Sequence, residues 1–131
     1  MNTLLETQLK RAKVAARLLK NMPTCTKNQA LEKIADALIA RSDEILEANK
    51  KDMAHAKEVN MTKAMQDRLL FTHERIVGVS DGVKKVATLP DPIGEVMESW
   101  TRPNGLEISK VRVPIGVFGI IYEARPNVTV D

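Results

Sequence analysis

The chain has 131 residues, 44% of them hydrophobic, and twenty Lys and Arg against seventeen Asp and Glu leave a net charge of +3. That balance excludes intrinsic disorder, and the length suits one single-core domain better than two. Cys25, His55 and His73 can supply neither an intramolecular disulfide nor a four-ligand zinc site, and the longest apolar run, Val113 to Tyr122, is too short to span a bilayer.

Residues 1–30 carry six basic residues and one acid, whereas residues 31–131 carry fourteen basic and sixteen acidic. Such a segment can be read as a nucleic-acid arm, as a transit peptide, or as a docking helix with a wet basic face. Leu5, Leu9, Ala12, Ala16 and Leu19 recur at spacings of four and three, which favours the helix. No continuous apolar core of a secretory signal is present, and neither nucleic acid nor membrane is expected as a partner. A second helix follows Thr26, whose spacing to Gln29 is that of a capping box, and it presents Leu31, Ile34, Ala35, Leu38 and Ile39 on one face. Ser42 is placed to cap a third helix, with Asp43 and Glu44 in its first turn and Ile45, Ala48 and Met53 continuing the stripe to about Ala56. Thr62 and Thr72 are further expected caps, the second opening a helix that buries Ile76, Val79, Val83 and Ala87. Gly78 and Gly82 weaken that helix or mark close packing on a neighbour.

Two prolines and a glycine in Leu89-Pro-Asp-Pro-Ile-Gly94 end the helical half. The divisions that follow are a helical segment over 1–89, an antiparallel ribbon over 90–113 and the opening of an α/β domain over 114–131. In the ribbon, Val96–Arg102 and Leu106–Val113 read as strands joined at Pro103-Asn104-Gly105, where Asn-Gly supplies the positive φ angles of a tight hairpin. Alternation in the second strand predicts one wet face. Beyond Pro114, Ile115 to Tyr122 is nearly continuously apolar, as in a strand buried on both faces of a parallel sheet, or in an edge strand of a small α+β domain. A central parallel strand needs neighbours and a crossover that the remaining nine residues cannot supply, so a larger α/β domain completed by further chain is expected.

Several residues could carry chemistry. Cys25 lies near a helix start but has no histidine nearby in sequence, and reads as a small residue before a cap. His55 and His73 read as helix residues, and no metal site is expected. The glycines of Gly116-Val-Phe-Gly119 do not open a helix and do not complete a dinucleotide fingerprint. More informative is Tyr122-Glu-Ala-Arg-Pro-Asn127, which leaves the carboxyl end of the expected strand, where open α/β sheets hold ligands. Glu123, Arg125 and Asn127 around Pro126 offer a fork for anionic oxygens and an amide for a developing oxyanion, or form a polar loop closed by Asn127.

Taken together, Val113–Asp131, Leu89-Pro-Asp-Pro-Ile-Gly-Glu-Val96, Trp100-Thr-Arg-Pro-Asn-Gly-Leu106, Lys27-Asn-Gln-Ala-Leu31 and Met65-Gln-Asp-Arg-Leu69 resemble the γ-glutamyl phosphate reductase (glutamate-5-semialdehyde dehydrogenase) family of the aldehyde dehydrogenase superfamily. The resemblance covers essentially the whole chain. It implies an α/β, aldehyde-dehydrogenase-like fold: an N-terminal helical layer, an antiparallel ribbon used in association, and the first strand of an incomplete parallel-sheet cofactor domain. It also implies a cytoplasmic homo-oligomer that reduces γ-glutamyl phosphate to glutamate 5-semialdehyde with NADPH, releasing phosphate, in the second step of proline biosynthesis. The superfamily's oxyanion asparagine matches Asn127 with a two-residue insertion, and in strict register Arg125 takes that place. Tyr122, Glu123, Ala124 and Arg125 are expected to line the cofactor or the acyl phosphate. Cys25 does not match the catalytic cysteine, which is absent from these residues, so the chain is expected to be an N-terminal part that is inactive alone. A different class of function is a non-catalytic module that pairs with a partner through its ribbon and exposed strand.

Overall fold

The computed structural model describes residues 3–131. Five helices, α1 (Thr3–Leu19), α2 (Thr24–Ala40), α3 (Ser42–Glu58), α4 (Lys63–Leu69) and α5 (His73–Ala87), precede strands β1 (Val96–Thr101) and β2 (Glu107–Val111), and a single 3-10 turn covers Pro126–Thr129. The chain forms two compact units: the described part of Met1–Thr24 with Pro90–Gly119, and Cys25–Leu89 with Ile120–Asp131.

The helical unit holds the core. Ala35 of α2 and Ile76 of α5 have no exposed surface, and Ala56, Phe71, Val83 and Ala87 are buried around them. Small side chains let α5 approach α2 closely enough for the buried Ser80 Oγ to donate to the Ala35 carbonyl at 3.0 Å, and Lys84 meets Asp36 at 3.2 Å beside it. A buried hydroxyl must find an acceptor or forfeit its hydration, and this bond supplies one. Val79 is only half-buried, and Ile34 and Ile39 are exposed, so the apolar faces of α2 and α5 are covered less completely than their periodicity implies.

Helix starts follow the local signals in two places and depart from them in two. Thr62 and Thr72 accept from the backbone N–H groups of Met65 and Arg75 at 3.4 and 3.2 Å, as expected of N-caps. By contrast α2 begins at Thr24, directly after Pro23, which places Thr26 inside the helix. The residue capping α3 is Arg41 rather than Ser42, which lies buried in the first turn. Arg41 clasps Glu44 there at 2.6 Å. This hydrogen bond, and then the guanidinium charge, hold the Glu44 carboxyl below its ordinary range and raise Arg41. At the other end of α3, Asn60 takes φ +53, and Met61 N–H closes back on the Ala56 carbonyl at 2.9 Å, a left-handed termination that asparagine tolerates.

In the other unit, the apolar stripe of α1 is half-buried at Ala12 and Ala16 and exposed at Leu5, Leu9 and Leu19. β1 and β2 pair antiparallel, with Trp100 opposite Ile108, and the pairing shifts between Val96 and Glu98. Only Gly105 in the connection has positive φ, +83, and Gly105 N–H donates to the Arg102 carbonyl at 2.9 Å. The three-residue connection lies where expected, but Asn104 does not share the positive φ expected of Asn-Gly. Pro103, with φ fixed near −65° by its ring, starts an ordinary turn and leaves the left-handed residue to Gly105. All residues of β1 and all but Ile108 of β2 are exposed, so the ribbon buries neither face.

The run Ile115–Tyr122 is not a paired strand. Ile115 is 90% and Ile121 102% exposed, and Gly116 takes φ +102. An apolar run becomes a strand only when neighbouring backbone accepts its hydrogen bonds, and the one sheet among the described residues is β1–β2.

Candidate functional site

A cavity of about 790 Å³ lies within the helical unit. Its apolar wall is the face of α5 that carries Gly78, Val79, Gly82 and Val83, with Leu31 and Phe71 adjoining. A Cβ added at either glycine would meet nothing within 4 Å, so these residues open space on the helix face instead of admitting a packed neighbour. Five charged residues, Asp67 and Arg68 of α4, Arg75 of α5, and Arg125 and Asp131 beside the 3-10 turn, reach the same cavity together with Asn127.

The α4–α5 loop on one side is held by two clasps. Arg75 Nη1 donates to the carbonyls of Asp67 and Leu70 at 2.5 and 2.6 Å, and Nη2 meets Asp67 Oδ1 at 3.2 Å. Buried Asn49 donates to the Leu69 carbonyl at 2.8 Å and accepts from Phe71 N–H at 2.7 Å. Both backbone groups are thereby satisfied away from water. Asn49 has no local sequence signature, because its partners lie 20 and 22 residues away.

The turn that the sequence singles out lines the same cavity. Pro126 opens the 3-10 turn, and Asn127 Nδ2 donates to Asp131 Oδ2 at 2.9 Å. An amide has two N–H donors, so Asp131 orients the group and leaves one donor available. Arg125 and Asn127 line the cavity; Tyr122, Glu123 and Ala124 are not among its lining residues. The Tyr122 hydroxyl pairs with Thr129 Oγ1, Glu123 is exposed, and Ala124 adopts φ +52. Arg68, Asp67, Arg75 and Asp131 complete the charged lining; Asp67 and Arg68 fall in the Met65-Gln-Asp-Arg-Leu69 run and Asp131 ends the Val113–Asp131 run, but the sequence assigns none of the four a role in a site. The spacing of Gly78 and Gly82 was the available signal for an open helix face.

Outside the cavity, Cys25 is exposed at the second residue of α2, and His55 Nδ1 lies 3.5 Å from Glu58 Oε2 on an open helix surface. Among the described residues no group of three His, Cys, Asp or Glu side chains could hold a metal ion. No described helix is long and apolar enough to cross a membrane.

No protein-family model matches the chain. The γ-glutamyl phosphate reductase of Desulforamulus reducens is 55% identical over 93% of this chain and 29% of its own length. That of Moorella thermoacetica is 53% identical over the whole of this chain and 32% of its own. Among solved structures, the γ-glutamyl phosphate reductase of Thermotoga maritima matches with a TM-score of 0.91 at 46% identity, covering 96% of this chain and 30% of that one. The enzyme of Saccharomyces cerevisiae matches with a TM-score of 0.86 at 38% identity, covering 92% and 31%. The likeness in both sequence and backbone makes this chain a homologue of the γ-glutamyl phosphate reductases, spanning about three-tenths of the length of those relatives.

Proposed function

We propose that the chain serves as part of an NADPH-dependent oxidoreductase that reduces γ-glutamyl phosphate to glutamate 5-semialdehyde with release of phosphate, in proline biosynthesis. The observation that carries this reading is the meeting of Arg125 and Asn127 on one cavity in a chain more than half identical to reductases of that name. An acyl phosphate presents a dianionic leaving group beside a carbonyl oxygen that gains negative charge when the carbonyl is attacked. Arg125 suits the first and the free N–H of Asn127 the second. Asp131 holds the amide in place before charge develops, so that little reorganisation is needed at the moment of reaction.

NADPH, when bound, supplies the hydride. Tyr122 and the residues up to Arg125 suit its nicotinamide end, where an aromatic face and polar backbone are wanted. The described residues contain no glycine-rich turn opening a helix, so none is assigned to the cofactor's phosphates. The thiol nucleophile is not assigned to Cys25, which lies exposed on α2 and is absent from the cavity lining.

In this reading residues 1–89 form a helical layer, 90–113 a ribbon through which subunits associate, and 114–131 the opening of the cofactor domain. Exposure of the ribbon's two faces and of Ile115–Tyr122 supports the last two assignments, because apolar surface of that kind is ordinarily covered. The test is Asn127→Ala in a complete reductase carrying this segment. Turnover is expected to fall roughly 10²- to 10³-fold, the loss typical of one oxyanion donor. Unchanged turnover in a folded enzyme contradicts the role of Asn127.

A further inference from the structure

Two guanidinium groups reach the cavity without an ion pair among the described residues: Arg125, beside Asn127, and Arg68, in the last turn of α4. Every other charged group there is engaged, Arg75 with Asp67 and Asp131 with Asn127. The two free cations come from separate elements. Arg68 sits at the head of a loop immobilised by Arg75 and Asn49, and Arg125 precedes the 3-10 turn. The glycine-opened apolar face of α5 lines the same cavity. A cavity with this pattern complements a small molecule with an anionic group at each end and a short aliphatic middle.

We infer that Arg68 is a specificity residue that receives the α-carboxylate of the substrate's glutamyl end while Arg125 receives the phosphate. The assignment rests on the function proposed above, which puts the reacting acyl phosphate at Arg125 and Asn127 and leaves the substrate's other anionic end for the other unpaired arginine of the cavity. Arg68 stands apart from the turn that the sequence marks as chemical, and only the folded cavity brings it there.

The two arginines separate cleanly when the reaction is run in the oxidative direction, with glutamate 5-semialdehyde, inorganic phosphate and NADP. In a complete reductase carrying this segment, Arg68→Gln is expected to raise the KM for the semialdehyde about 10- to 100-fold, the worth of a charge-assisted hydrogen bond. The KM for phosphate should stay unchanged. Arg125→Gln should do the reverse. Butanal, which lacks the carboxylate, should be oxidised equally well by the parent and by Arg68→Gln, and Arg68→Lys should recover part of the semialdehyde affinity. An active Arg68→Gln enzyme with an unaltered semialdehyde KM, or with an equal loss on butanal, overturns the inference while leaving the proposed function standing. Absence of phosphate-dependent aldehyde oxidation in the unsubstituted enzyme overturns the proposed function itself.

Discussion

At the scale of single residues, the groups that matter most to the fold are polar ones with distant partners. Asn49 satisfies one carbonyl and one N–H of the loop around Leu69 and Phe71, and its removal leaves both without a protein partner. Asn49→Ala is expected to destabilise the helical unit by about 1–3 kcal/mol, the usual cost of an unsatisfied buried group, measured as a fall in the urea midpoint. A change within error would show that water replaces the side chain freely. Glu44 is a different case, since its side chain and that of Arg41 are both exposed. Its folded-state pKa is depressed, so any stabilisation is present at neutral pH and lost as the pH falls through the folded value. The urea midpoints of parent and Glu44→Gln should differ slightly at pH 7 and converge in acid, with the difference also diminishing in high salt. A gap that widens towards low pH contradicts that sign.

At the scale of elements, what the sequence makes legible is what is decided locally. Thr62 and Thr72 cap as expected because each bond spans three residues. Thr26 and Ser42 fail as caps because Pro23 and Arg41 set the helix starts three residues and one residue earlier. The hairpin was readable in place but not in turn geometry, which Pro103 decides. Its left-handed Gly105 makes Gly105→Ala destabilising by about 1–2 kcal/mol. Gly78→Ala and Gly82→Ala should do the opposite, each stabilising α5 by about 0.5–1 kcal/mol, since neither added Cβ meets an atom within 4 Å. Thermal melts of the three variants check both signs. The same glycines, read from sequence as a weakness or a packing contact, open the cavity wall instead. The turn bearing Arg125 and Asn127 was legible from its composition. Arg68 was not, because nothing short of the folded α4–α5 loop relates it to residues nearly sixty positions away.

At the scale of the whole molecule, Ile115–Tyr122 shows the limit of pattern reading. The run has the composition of a buried strand, yet burial and pairing depend on neighbouring strands, and the only sheet described is the two-stranded ribbon. So much exposed apolar side chain with unpaired backbone favours association. The 131-residue chain is expected to elute as a concentration-dependent oligomer, and Phe118→Lys with Ile121→Lys to shift it towards monomer. A parent that remains monomeric at high micromolar concentration in light scattering contradicts this. The chain's span of about three-tenths of its relatives gives the most direct test of the proposed activity. The measurement is NADPH oxidation with γ-glutamyl phosphate by the Moorella thermoacetica reductase after its matching segment is exchanged for this chain. Turnover within about tenfold of the parent enzyme is expected, because at most about 1.4 kcal/mol of transition-state stabilisation should be lost across the join. A folded exchange protein that binds NADPH yet releases no phosphate would contradict the assignment of this chain to that reaction.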